Sequence, residues 1–235
     1  MKEVDMKAFA KLQPKKTKSG KTRSQIGKSA KAKGKSGERY FVNILNEVTK
    51  DMDLPEFYRV PNSGAFVGQQ NRDKLKKLSG AQYLIHLGDI VCPDELKYQL
   101  ILESKNYAEL DFHNLINPKG STKLLSWLDE MLYDVESALM YANNKTPLGF
   151  LCVKITRKGS WIVLNGGNWV NPEGPDVNWK WPNISCIPTP YIKFNHHVAD
   201  LLKQHYWNDD FYMCDFQNFI EYNKESLFCK EKYNE

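Results

Sequence analysis

Residues 83–105 read YLIHLGDIVCPDELKYQLILESK, and this stretch decides the fold. Tyr83–Cys92 is a nearly continuous apolar run of strand length, the pattern of a strand buried on both faces. Pro93, Asp94 and Glu95 turn the chain, and Tyr98–Lys105 is expected to pair with the first run as a hairpin. Side chains alternate along a strand, so Glu103 and Lys105 share one face while Leu100, Leu102 and Ser104 share the other. A carboxylate and an ammonium on one face of an apolar strand are costly unless they pair or bind something. The hairpin would set Asp89 beside Glu103. Two converging carboxylates repel unless a divalent cation lies between them, and hard oxygen donors favour Mg²⁺ or Mn²⁺. A lysine two residues on can orient water or offset negative charge at a phosphoryl group. The competing reading is a Glu103–Lys105 ion pair with Asp89 in a strand-end turn. The pattern D…ExK does not by itself separate the two.

Outward from this stretch the elements alternate. Upstream, Tyr40, Phe41, Ile44, Leu45 and Val48 recur at helical spacing, and Phe57–Val60 is a short apolar strand. Downstream, a helix over about Thr122–Asn143 carries the stripe Leu124, Leu128, Met131, Val135, Leu139. Strands follow at Leu148–Ile155 and Trp161–Leu164, joined by the turn Arg157-Lys158-Gly159. Helix, three strands, helix and two strands make an α/β core with a largely buried sheet. From Gly166 to Pro190 the chain is expected to be an irregular, proline- and tryptophan-rich connector. Two helices, Asn195–Trp207 and Asp209–Asn223, are then expected as a C-terminal extension.

Charge is distributed unevenly. Of 33 Lys/Arg in the 235 residues, 12 lie in residues 1–37 beside 2 acidic residues, which leaves the remainder net acidic. Residues 1–33 hold little that could form a core and read as a disordered basic arm, suited to a polyanion or else a solubilising tail. No apolar stretch is long enough to span a bilayer, and no secretory signal is expected. The five cysteines are widely spaced without a CxxC pair, which fits a reducing cytosol better than a disulfide framework or a zinc ribbon. His196, His197 and His205 lack partners at zinc-ligand spacing. Neither a P-loop nor a dinucleotide fingerprint is present, so no nucleotide cofactor is expected.

Four elements in order resemble a known family. Lys33-Gly34-Lys35-Ser36-Gly37-Glu38-Arg39 is similar to the K-G-x-x-x-E-R opening of the archaeal-type Holliday-junction resolvases. Arg59-Val60-Pro61-Asn62-Ser63-Gly64 is similar to their R-x-x-x-S-G element, and Gly88-Asp89 and Glu103-Ser104-Lys105 follow as the PD-(D/E)xK motifs. The resemblance spans roughly residues 31–165. It implies a restriction-endonuclease-like core, a mixed sheet flanked by helices, over residues 34–165, with residues 166–235 appended. Asp89 and Glu103 would then hold Mg²⁺, with Mn²⁺ able to substitute, and the Ser104 carbonyl would complete the set. Lys105 would position the attacking water, Glu38 would serve a second metal or its water, and Ser63 would lie by the scissile backbone. Lys33, Lys35, Arg39 and Arg59 would meet DNA. Gly88 stands where the motif's name has proline. The longer stretch before it carries Arg72, Lys74, Lys76 and Lys77, either an extra DNA contact or a solvated helix face.

The implied activity is Mg²⁺-dependent hydrolysis of phosphodiesters in branched DNA, such as four-way junctions, by a homodimer leaving 5′-phosphate ends. The rivals are another nuclease of the same fold, restriction-type or exonucleolytic, and a nucleic-acid-binding protein without catalysis. The expected setting is the cytoplasm, near the nucleoid or in a host cell if phage-encoded.

Overall fold

The computed structural model of the chain describes residues 22–61, 83–110, 115, 122–141, 145–166, 191–205 and 207–230. Ser63, the basic residues Arg72, Lys74, Lys76 and Lys77, the connector beyond Gly166 and residues 1–21 of the arm lie outside the described residues. In chain order come helix α1 (Arg23–Thr49), strands β1 (Tyr58–Arg59), β2 (Ile90–Val91) and β3 (Gln99–Tyr107), and helix α2 (Thr122–Tyr141). Strands β4 (Pro147–Ile155), β5 (Gly159–Asn165) and β6 (Ile192–Asn195) follow, then the single turn α3 (Asp200–Lys203), β7 (Asp210–Asp215) and α4 (Phe216–Leu227).

Seven strands form one sheet in the order β1-β2-β3-β4-β5-β7-β6. The β3–β4 pair is parallel, with Glu103 opposite Leu151 and Lys105 opposite Val153, and the other pairings are antiparallel. A parallel pair needs a crossover, and α2 supplies it. The α/β architecture with a mixed sheet and flanking helices is therefore present. Strand alternation sorts the core into two layers. Ile101, Leu151, Val153, Val163, Phe211 and Met213 meet Leu124, Leu128, Met131 and Val135 of α2. Leu100, Leu102, Phe150, Cys152, Ile162 and Leu164 meet Phe41 and Leu45 of α1 and Phe216, Phe219 and Ile220 of α4. No helix among the described residues is long and apolar enough to cross a membrane.

Three expectations change. Of Tyr83–Cys92 only Ile90–Val91 is strand. The backbone N–H groups of His86 and Leu87 turn back to Tyr83 and Leu84, and Gly88 takes a φ of 71°, so the apolar run is a buried corner. Tyr83 and Leu87 fill the α2 layer while Ile90 fills the other, which made the run look like one strand.

The second change is at the arm, where helix starts at Arg23 rather than after residue 33. A capping box begins it: Gln25 N–H donates to Thr22 Oγ1 at 3.2 Å, and Thr22 N–H donates to Gln25 Oε1 at 2.9 Å. Ser24–Ala32 are exposed, so the local cap favours this helix without core packing.

The third change concerns the expected C-terminal helices. Residues 210–215 are strand β7, inserted between β5 and β6, and only Phe216–Leu227 is a long helix. Phe211 and Met213 face one core layer and Cys214 the other, a period of two hidden by the density of aromatics. The C-terminal segment is therefore part of the sheet rather than a helical addition. Its rings also enter the α1 layer: Phe216 packs edge-on against Phe41 at 4.7 Å, and Phe228 against Phe57 at 5.4 Å.

A chain ended after Asn165 is expected to lose cooperative folding. It lacks buried Phe211, Phe216, Phe219 and Phe228. Each contributes about 3–5 kcal/mol when removed, against a total stability of about 5–15 kcal/mol. Urea unfolding followed by circular dichroism checks this. A truncated chain with the full-length midpoint would contradict it.

Candidate active site

Asp89 lies in the turn that leads into β2, fastened by its backbone and its side chain. Its N–H donates to Leu102 O at 2.8 Å, its carbonyl accepts from Val60 N at 2.9 Å, and its Oδ2 accepts from Ser104 N at 3.0 Å. The turn depends on Gly88. At a φ of 71°, a Cβ there would stand 2.9 Å from Leu102 O, which an L side chain could not accept without moving the backbone. The hairpin reading is thus met in a specific form, because Asp89 hydrogen-bonds the residue that follows Glu103.

Glu103 and Lys105 share the α2-facing side of β3, as alternation requires. Lys105 Nζ lies 2.8 Å from Glu103 Oε1 and also pairs with Glu130 of α2. Burial, then the charge of Asp89, raises the Glu103 carboxyl well above the usual carboxylate range. Burial pulls the Lys105 ammonium the other way, but the charge of Glu103 and bonds to Glu103 and Glu130 outweigh it and hold it protonated.

Glu38 approaches from α1. It is buried, and Arg59 on β1 donates to its Oε2 from both Nε and Nη2 at 2.5 Å. Burial raises the Glu38 carboxyl despite that bond, and the charge of Asp89 adds to the rise. Arg59, expected on DNA, is here engaged with Glu38. The backbone at Lys33 is fixed, since its carbonyl accepts from Asn106 Nδ2 at 2.8 Å. Lys35 and the exposed Arg39 flank Glu38 along α1. Ser63 and the 72–77 basic residues lie outside the described residues.

Two acidic residues of α2 were missed. Asp134 Oδ2 accepts from Gly88 N at 3.1 Å and so braces the turn that aims Asp89, while Glu130 holds Lys105. They form an acidic i,i+4 pair bordering the buried stripe of α2. That signal was visible, but nothing local says which helix turn meets Lys105. Asp89 acts electrostatically on Glu38 and on Glu103, which also feels Asp134, and these carboxylates outnumber the cations of Arg59 and Lys105.

Asp89 and Glu103 are the carboxylates that could hold a cation here. Both offer hard oxygens, and the charge of Asp89, which adds to burial in raising Glu103, is repulsion that a divalent ion would relieve. Among the described residues no group of three or more His, Cys, Asp or Glu side chains is arranged to hold a metal. Glu38 in particular is tied to Arg59 and does not complete a three-carboxylate cluster with Asp89 and Glu103.

A mixed sheet with an Asp at the entry to one strand and Glu-x-Lys on its neighbour marks the PD-(D/E)xK class of nucleases. Residues 29–168 match the phage putative PDDEXK endonuclease family, and because this is more than half of the chain, the chain belongs to that family. The match supports the superfamily and not the archaeal-type Holliday-junction resolvases that the motifs resemble. No curated protein and no solved structure matches the chain.

The Glu103 carboxyl titrates higher folded than its ordinary 4.5. Its ionisation therefore opposes folding, and the chelated protein is expected to lose stability as pH rises above that value. In EDTA at pH 8, Glu103→Gln should melt above wild type by about 2–4 °C for each kcal/mol of repulsion removed. Lys105 keeps Glu130 as partner, and the difference should shrink toward pH 4. A variant that melts below wild type at pH 8 would show that the Lys105 pair outweighs the burial cost.

Proposed function

We propose that the chain is a divalent-cation-dependent DNA endonuclease selective for branched DNA. The observation that carries the reading is the bond from Ser104 N–H to Asp89 Oδ2, which sets one carboxylate of the motif against the strand bearing the other and its lysine. Mg²⁺, or Mn²⁺ in its place, would be held by Asp89 and Glu103 with the Ser104 carbonyl. Once bound, such an ion would offset phosphate charge and make water more acidic. Lys105, protonated and beside Glu103, would orient the attacking water and lend positive charge to the transition state. Glu38, fixed by Arg59, would stand at the rim, with Ser63 near the scissile backbone. Lys33, Lys35 and Arg39, with Arg72, Lys74, Lys76 and Lys77, would contact phosphates.

Selectivity for four-way junctions is supported by the ordered resemblance to resolvases, and two equivalent cuts suit a homodimer. The cytoplasm holding the DNA is the fitting place for such an enzyme. Membership of a phage endonuclease family also suits cleavage of linear DNA, and one experiment separates the two readings. A four-way junction and a linear duplex of matched sequence are incubated with the protein in Mg²⁺ or EDTA. The expected result is cleavage of the junction in Mg²⁺ alone. Asp89→Asn should slow it by on the order of 10²-fold or more, the scale seen when one electrostatic contact to a transition state is lost, while junction affinity stays within a few-fold. Equal cleavage of both substrates would leave an endonuclease without branch selectivity. Wild-type rates from Asp89→Asn would overturn the site.

A further inference from the structure

Helix α1 runs outward from the site, and one of its faces is unusual. Glu38, Lys35, Lys31 and Lys28 recur at steps of three and four residues, which stacks their side chains along one side of the helix. The charge of Lys35 reaches Glu38 and opposes the rise of its carboxyl. Beyond it Lys28 and Lys31 are exposed, and from Arg23 to Ser36 there are five basic residues and no acidic one. A Cβ built on Gly27 or Gly34 would meet no atom within 4 Å, so the helix faces open space at these two positions. Like charges at such spacing repel, and the exposed turns bearing Lys28 and Lys31, with no carboxylate between Arg23 and Ser36 to offset them, are suited to a polyanion.

The inner end of the row is fixed. Asn106 donates to Lys33 O at 2.8 Å, and Gly37 approaches so closely that an added Cβ would lie 2.7 Å from Asn106 Cβ. Asn106 follows Lys105 on β3, so the lysine row is anchored to the strand that carries Glu103 and Lys105. Its distance from the site is thereby set by the fold.

We infer that Lys28, Lys31 and Lys35 form a phosphate track that grips one DNA strand beside the bond to be cut, an assignment resting on the endonuclease reading. Ten residues at about 1.5 Å each carry the track about 15 Å from Glu38. At about 3.4 Å per nucleotide, that is four to five nucleotides of one strand. The track thus defines a flank of fixed length that the substrate must present. DNA is favoured over other polyanions because the row is continuous with the face bearing Glu38.

The test compares the full chain with Lys28→Gln/Lys31→Gln/Lys35→Gln. A control, Lys50→Gln/Lys97→Gln/Lys224→Gln, removes equal charge at the end of α1, before β3 and on α4. Junction affinity is measured in EDTA across a salt series. Each phosphate contact contributes about 0.9 to the slope of log affinity against log salt, so the row variant should be shallower by about 2.7 per subunit, about 5.4 for the homodimer, and the control unchanged. Trimming one arm at a time below four nucleotides should cost wild type affinity on the two arms related by the dimer's two-fold axis and the row variant none.

Equal slopes for wild type and row variant, or an equal drop in the control, would overturn the track. The same lysine dependence on a matched RNA duplex would overturn the DNA assignment. Cleavage by wild type in Mg²⁺ is scored separately. A protein that cuts while its row variant keeps the full slope loses only the track. One that shows the slope change and never cuts loses the endonuclease reading.

Discussion

The short ladder between the Gly88–Asp89 turn and β3 governs the geometry of the site. Three bonds hold Asp89, two from its backbone and one to its carboxylate, and the left-handed Gly88 allows the backbones to come that close. The same turn is braced from α2 by Asp134 and from β1 through Val60. Elements distant in sequence therefore meet at one residue. Moving any of them shifts Asp89 against Glu103.

This arrangement concentrates negative charge where burial makes it expensive. Glu103 and Glu38 are both raised by burial and by Asp89, which is the opposite of what stability alone would favour. Two cations moderate the strain. Arg59 serves Glu38 on the α1 side, and Lys105 serves Glu103 on the α2 side, itself shared with Glu130. The acidic residues are thus partly neutralised on each face of the sheet, with the remaining repulsion involving Asp89. Such strain is common where a site must bind charge, and the rest of the fold has to outweigh it.

That counterweight comes largely from the far side of the sheet. β4 and β5 are buried on both faces, and β7 extends the sheet beyond them with Phe211 and Met213 in one layer and Cys214 in the other. α4 then returns against α1, setting Phe216 on Phe41 only a turn from Glu38. Packing in the last third of the chain thereby steadies the helix that carries both Glu38 and the lysine row. The family match ends at residue 168, before any of these C-terminal elements, so this support lies outside the matched segment.

Much of the site was legible in local pattern. Alternation put Glu103 and Lys105 on one face, the helical stripe identified α2, and apolar runs located β4 and β5, because each signal depends only on residues a few positions apart. Asp134 and Glu130 were invisible as partners, since an acidic pair beside a stripe reads the same whether it meets solvent or Lys105. β7 was misread because aromatic residues buried on two faces blur the difference between periods of 2 and 3.6. The start of α1 was misread because a basic, polar segment has no core to advertise a helix, and only the cap at Thr22 and Gln25 marks it. By itself the sequence determined which residues carry charge and which strands must be buried. The tertiary structure alone decided which acidic residues gather at the Gly88–Asp89 turn and Lys105, because that depends on strand order and on a crossover joining residues over thirty positions apart.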